Sequence, residues 1–287
     1  MKLGVITDGI SKDLDEALRI MKADGLEYPE LQWVWDKEIG DHTVEELNHI
    51  KKLVDQYGMK ISVLSRHLFM GLPTMTTERD SSRYKEQYHQ LLQTIKAAHV
   101  LKTDKIRAMT FSKIQNIWGY DGADSDMAAD NKAWGHFLHL YEPIVQAAED
   151  NGITIVMETA VNAMAYSGYL AKKMIKDLGS NRLKVLWDPG NTICNGDIPF
   201  PEAYEEIKDV LGHVHIKDLK VKPHHGKVRS CPVGTGDMAQ YWESIAEALK
   251  KDQYEGAISM ELMYRPKGKD FKAGYFEQVA KFKKIFG

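Results

Sequence analysis

The sequence predicts an α/β fold, a single (β/α)8 TIM barrel, on three observations. Short β-branched runs alternate with longer stretches of helical period along the whole chain, the pattern of parallel strands joined by crossover helices. The strand candidates number about eight, as a closed barrel of this type requires. The length of 287 residues suits one such barrel of about 250 residues. No Pro/Gly/Ser-rich linker, low-complexity tract or internal repeat divides the chain, so residues 1–287 are expected to form one domain.

The elements follow in order. Leu3 to Thr7 opens as an apolar strand, and Ser11 to Ala23 continues with helical spacing. Glu30 to Val34 reads as the second strand. Thr43, with Glu46 three residues on, forms a capping box for a helix that stops before Gly58. The remaining strand candidates are Lys60 to Ser65, Lys105 to Thr110, Ile153 to Glu158, Leu183 to Asp188, His213 to Lys217 and Ala257 to Leu262. Helical patterns follow each, over Ser81 to Val100, Asn131 to Glu149, Tyr166 to Leu178, Pro201 to Ile207, Ala239 to Lys250 and Phe271 to Phe286. The longest connection, Phe111 to Asp130, carries Trp118, Gly119, Tyr120 and Gly122, and its length predicts a lid over the barrel mouth.

Composition narrows the function. Lys plus Arg number 38 against 41 Asp plus Glu, a net charge of −3, which argues against nucleic acid or an anionic membrane as partner. Hydrophobic residues at 43% and charged residues at 28% are ordinary globular values. Cys194 and Cys231 make no CxxC pair, which excludes a disulfide framework and a cysteine zinc site and suits a reducing cytoplasm. The apolar run at the N-terminus meets Asp8 too early for a signal peptide, and no apolar span of membrane length occurs. The GxSxG, GxxxxGK[ST] and strand-borne GxGxxG patterns are missing, so serine hydrolase, P-loop and Rossmann chemistries lack their parts.

In a barrel, chemistry belongs to the C-terminal ends of the strands. The ionisable residues leaving apolar strands there are His67, Glu158, Asp188, His215 and Glu261. A carboxylate just past a run such as Ile153-Thr154-Ile155-Val156-Met157 is costly unless paired, hydrogen-bonded or metal-bound. Three carboxylates with one imidazole suit one divalent ion, Mn²⁺ or Mg²⁺ first, with Co²⁺ or Zn²⁺ as alternatives. Strand alternation puts His213 and His215 on one face, with His213 as a packed residue behind the ligand. Trp33 and Trp35 offer an apolar wall for a sugar face.

Met157-Glu158-Thr159, Trp187-Asp188-Pro189-Gly190-Asn191, His213-Val214-His215-Ile216-Lys217-Asp218, Val233-Gly234-Thr235-Gly236-Asp237 and Ser259-Met260-Glu261 together make a recognisable set. The chain resembles the xylose isomerase-like TIM barrels, specifically the sugar phosphate isomerase/epimerase group, over nearly its whole length. The resemblance implies one divalent ion held by Glu158, Asp188, His215 and Glu261, bridging a substrate carbonyl and a neighbouring hydroxyl. It further implies that Glu158 and Glu261 act as base and acid on opposite faces of one carbon, through a metal-stabilised enediolate. The expected substrate is a small carbohydrate: a ketose, ketose phosphate or keto-polyol. His67, Trp118, Asn191, His213, Lys217 and Arg229 are the further residues expected at the substrate. Asn191 stands where many relatives carry histidine, so a histidine relay is excluded there. Arg229 lies near, but not at, the place of a common family arginine.

A lyase of the same fold, acting on a keto-inositol or related keto-polyol, begins with the same proton abstraction and is the alternative. A repair endonuclease of this barrel needs additional histidines and a phosphate-binding surface that the chain lacks. The sequence leaves open whether the chain forms a homo-oligomer.

Overall fold

The computed structural model describes residues 1–113 and 132–287. Eight parallel strands form the barrel: β1 (Lys2–Ile6), β2 (Tyr28–Glu30), β5 (Leu64–Leu68), β6 (Lys105–Ala108), β7 (Thr154–Glu158), β8 (Leu183–Trp187), β9 (Leu211–Ile216) and β12 (Ala257–Met260). Their order is β2-β1-β12-β9-β8-β7-β6-β5. A parallel bridge between Leu31 and Leu64 joins the two ends, with Ser65 donating to the Leu31 carbonyl at 2.7 Å. The (β/α)8 architecture expected from the sequence is therefore the one observed.

The helices are α1 (Leu14–Asp24), α2 (Val44–Gln56), α3 (Ser82–Leu101), α4 (Lys132–Asp150), α5 (Gly168–Leu178), α6 (Pro189–Cys194), α7 (Tyr204–Ile207), α8 (Trp242–Lys251) and α9 (Phe271–Phe286). Their boundaries follow local chemistry. Asp13 accepts from the first-turn amides of α1, and Gly25 ends it in the left-handed region. The Thr43/Glu46 capping box starts α2 as its spacing predicts. The apolar helix faces pack on the outside of the strands in one continuous core that includes Trp242 and Phe282. No described helix is long and apolar enough to cross a membrane.

Two strands differ in position from the sequence expectation. The second ends at Glu30 instead of beginning there, because its pairing with β1 stops at Ile6 opposite Glu30. Trp33–Val34 (β3) then turns back on Lys37–Glu38 (β4) as a small antiparallel hairpin. Gly4 permits this tight start: a Cβ there would lie 2.0 Å from the Tyr28 carbonyl oxygen. The third barrel strand is Leu64–Leu68, so Arg66 and His67 lie within it. Residues 60–63 instead run alongside β2, with Lys60 donating to Glu27 and Ser62 to Pro29.

A second hairpin, β10 (Asp218–Lys222) with β11 (Lys227–Cys231), leaves the end of β9. Its anchor is Asp218, whose carboxylate accepts from the amides of Leu219, Gly234, Gly236 and Met238 and from the Trp242 indole. Gly236 fits only as glycine, since a Cβ would stand 2.2 Å from Asp218 Oδ1 and 2.4 Å from the Leu219 carbonyl oxygen. The adjacent Lys217 and Asp218 thus divide their work by strand alternation. Lys217 turns to the carboxylates at the strand ends, and Asp218 folds the glycine-rich turn.

Candidate active site and metal centre

Four strand ends bring Glu158, Asp188, His215 and Glu261 together. Glu158 is the last residue of β7, Asp188 follows β8, His215 lies in β9 and Glu261 follows β12. Each is fixed by its own element. Glu158 pairs in register with Leu186. Asp188 caps α6, accepting from the Asn191 amide at 3.0 Å. Glu261 donates its amide to the Ile216 carbonyl at 3.0 Å. One ligand atom from each of the four lies within 4.8 Å of every other. Donors facing each other across an ion at about 2.0–2.4 Å stand about 4–5 Å apart, so the spacing fits one divalent ion. His215 Nδ1 is buried and has no hydrogen-bond partner, so one nitrogen of a cluster residue is left unsatisfied.

Two cations brace the carboxylates. Arg107, on β6 and fully buried, donates from Nη1 to Glu158 Oε2 at 3.2 Å and from Nη2 to the Ser65 carbonyl at 2.6 Å. Asn191 Nδ2 donates to the other Glu158 oxygen at 3.0 Å. The Lys217 ammonium lies 2.8 Å from Asp188 Oδ2 and 2.5 Å from Glu261 Oε2. Burial raises the Asp188 carboxyl above the usual range, with like-charged Glu261 and Glu158 adding to it and Lys217 opposing. Burial acts the same way on Glu261, but Lys217 and His215 outweigh it and hold that carboxyl low. Burial disfavours a charged His215, yet Glu30 outweighs it and pushes the imidazole up to about 9.

Of these groups, Glu158, Glu261, Lys217 and Asn191 face a cavity of about 400 Å³. Glu158, Glu261, Lys217, Asn191 and His67 supply its polar lining, and Met109, Phe111, Ala160 and Val161 are prominent on its apolar side. His67 is partly exposed, with Gln32 Nε2 3.4 Å from its Nδ1. Its neighbour Arg66 is buried and pairs with Asp41 at 2.6 Å and Glu38 at 3.4 Å. His213 is 1% exposed and binds Glu30 at 2.7 Å, apart from the cavity lining. Arg229 lies on the exposed β11 strand, opposite Lys220 in the hairpin. Trp33 and Trp35 are also outside the lining: Lys12 sits over Trp33, and Trp35 stacks on His49. Trp118, with most of the expected lid, falls outside the described residues. Phe111, at the start of that segment, packs among Phe69, Tyr84, Phe137 and Tyr141.

Sequence reasoning missed Glu30 and Arg107, which hold His215 and Glu158. The available signal was alternation. A polar residue between two apolar ones on a barrel strand, as in Ile106-Arg107-Ala108, must face the interior when its neighbours face the helices.

Comparison with known proteins agrees with the fold. A structure of a 3-keto-D-glucoside 4-epimerase from E. coli superposes with a TM-score of 0.74 at 18% identity, covering 99% of each chain. A probable 3-DHS dehydratase from Bacillus anthracis gives 0.73 at 14% identity, again over 99% of each chain. A D-psicose 3-epimerase gives 0.71 at 17% identity over the full length of both. Identities this low establish a common fold and nothing of the substrate. A comparison with curated proteins gave no match. The family described as xylose isomerase-like TIM barrel matches residues 17–285. With its eight-stranded barrel and its acidic strand ends, the chain belongs to the xylose isomerase-like TIM barrel family.

Proposed function

We propose that the protein is a divalent-metal-dependent isomerase or epimerase. It moves a proton at the carbon beside the carbonyl of a ketose, ketose phosphate or keto-polyol. The observation that carries this reading is the convergence of Glu158, Asp188, His215 and Glu261, with donor atoms within 4.8 Å of one another and with Glu158 and Glu261 lining the cavity. Hard oxygen donors with one imidazole favour Mn²⁺ or Mg²⁺, and Co²⁺ or Zn²⁺ are compatible. Bound there, the ion supplies Lewis acidity toward a carbonyl oxygen.

The remaining chemistry belongs to side chains. Glu261 presents its carboxylate to the cavity as an ionised base, with Lys217 as counter-ion. Glu158, held on both oxygens by Arg107 and Asn191, is the second member of the proton-transferring pair. His67, Asn191 and Lys217 orient the hydroxyls and carbonyl of the sugar, and Met109, Phe111 and Val161 exclude water from the reacting carbon. Two sugar epimerases share the fold and so can house chemistry of this kind in it.

One observation favours a second reading, a dehydratase acting on a keto-inositol or related keto-polyol. The Lys217 ammonium lines the cavity beside Glu261, where it can protonate a departing hydroxyl after Glu261 has taken the carbon-bound proton. Products separate the two. EDTA-treated protein reloaded with Mn²⁺ or Mg²⁺ is incubated in heavy water with ketoses, ketose phosphates and keto-inositols. Metal-dependent uptake of deuterium at one carbon is expected, with a product that differs from the substrate in mass by the label alone. A product lighter by one water assigns the dehydratase. Absence of exchange across the panel, with every metal tried, overturns both readings.

A further inference from the structure

Glu30 is fully buried at the end of β2, and β2 and β9 are not neighbours in the sheet. Its carboxylate nevertheless reaches both histidines of β9. His213 Nε2 lies 2.7 Å from Oε2, and His215 Nε2 lies 2.8 Å from Oε1. The Ser65 hydroxyl also donates to Oε1. The two imidazoles stand nearly perpendicular, with ring centroids 5.4 Å apart, so each meets a different oxygen. An ionised carboxylate only accepts, so both bonds place a proton on Nε2. The lone pair of a neutral His215 is then on Nδ1, a buried atom without a partner, and His215 is a member of the set with Glu158, Asp188 and Glu261.

We infer that Glu30 is a positioning residue that locks the tautomer and ring plane of His215, so that Nδ1 is presented to a divalent cation. The inference rests on the metal reading proposed above and extends it by one residue. His213 has a definite part in it. It engages the second Glu30 oxygen, which stops the carboxylate from rotating away from His215. Only a carboxylate can serve both rings. A carboxamide offers one oxygen, and its amino group facing an imidazole drives that ring's proton to Nδ1, where it blocks a metal. Glu30, His213 and His215 also lie close enough to one another to form a second metal set. Their 2.7 and 2.8 Å separations are hydrogen-bond lengths, with no room for an ion between the atoms.

The test compares the full-length wild type with Glu30→Gln, using Mn²⁺ calorimetry and ¹⁵N-histidine spectra of the Zn²⁺-loaded proteins. The expected results are one Mn²⁺ per wild-type chain and affinity about 10- to 100-fold weaker in the variant. The wild-type spectrum should show His215 protonated at Nε2 and metallated at Nδ1. Wild-type affinity in a folded Glu30→Gln, metal on Nε2, or two ions per chain overturns the role of Glu30. If Glu30→Gln does not fold, the wild-type spectrum decides alone. Failure of the wild type to take up any ion overturns the metal reading itself, which is a different result from uptake that ignores Glu30.

Discussion

Glu261→Gln is expected to lower turnover on a confirmed substrate by about 10²- to 10⁴-fold, the usual worth of a positioned general acid or base. Gln keeps the shape and one oxygen donor but cannot take a proton at neutral pH. Glu158→Gln should be impaired to a similar degree, and the two should fail differently. One variant loses solvent deuterium exchange. The other keeps exchange, because its remaining carboxylate still removes and returns the proton, yet makes no epimer. Exchange and product formation measured side by side on the metal-loaded variants check this. If both keep metal and near-normal turnover, the proton passes through another group lining the cavity, with His67 the first to examine.

Arg107→Met is expected to destabilise the metal-free protein by about 3–5 kcal/mol, because removing one member of a buried ion pair leaves the other charge uncompensated. The pair is buried on both sides, with 1% and 5% side-chain exposure for Arg107 and Glu158. The same guanidinium also satisfies the Ser65 carbonyl across the barrel interior. Urea unfolding of the wild type and the variant, both without metal, gives the difference directly. A loss under about 1 kcal/mol would mean that Glu158 finds another donor or becomes neutral. Arg107→Lys keeps the charge but not the two-armed donor, so it should fall between the two.

Much of the site was legible because it sits where two independent patterns coincide. Glu158 and Asp188 close β-branched or apolar runs, and strand ends are where a barrel keeps its chemistry. His213, His215 and Lys217 alternate along one strand, and the structure directs the histidines to Glu30 and the lysine to Asp188 and Glu261. The residues that brace this set were hidden by the same patterns. Glu30 looked like the start of a strand because Tyr28-Pro29 before it carries a poor β signal, although it is the strand's end. Arg107 lies between Ile106 and Ala108 on a short strand, where a lone charge reads as a solvent-facing position in an open sheet. Only closure of the barrel turns that face inward.

The β10–β11 hairpin was illegible for a different reason. Its Lys, His and Gly content has the composition of a loop, and its strands are held by mutual pairing and by Asp218 rather than by a buried apolar face. The third strand lies a few residues later than its apolar pattern suggests, because Lys60 to Ser65 is the more apolar run, whereas pairing with β6 joins Leu64 to Ile106 and Leu68 to Ala108 across an irregularity that holds Arg66 and His67. Arg66 and His67 show how little residue type decides alone. One turns to Asp41 and Glu38, and the other lines the cavity.

The most direct single measurement is anomalous diffraction from crystals soaked in Mn²⁺, recorded on either side of the manganese edge. The prediction is one strong peak per chain, surrounded by Glu158, Asp188, Glu261 and Nδ1 of His215, with Lys217 Nζ moved away from Asp188 and Glu261. A soaked crystal with no peak among these residues, or with its peak between Glu30 and His213 instead, would contradict the assignment of this cluster as the metal centre.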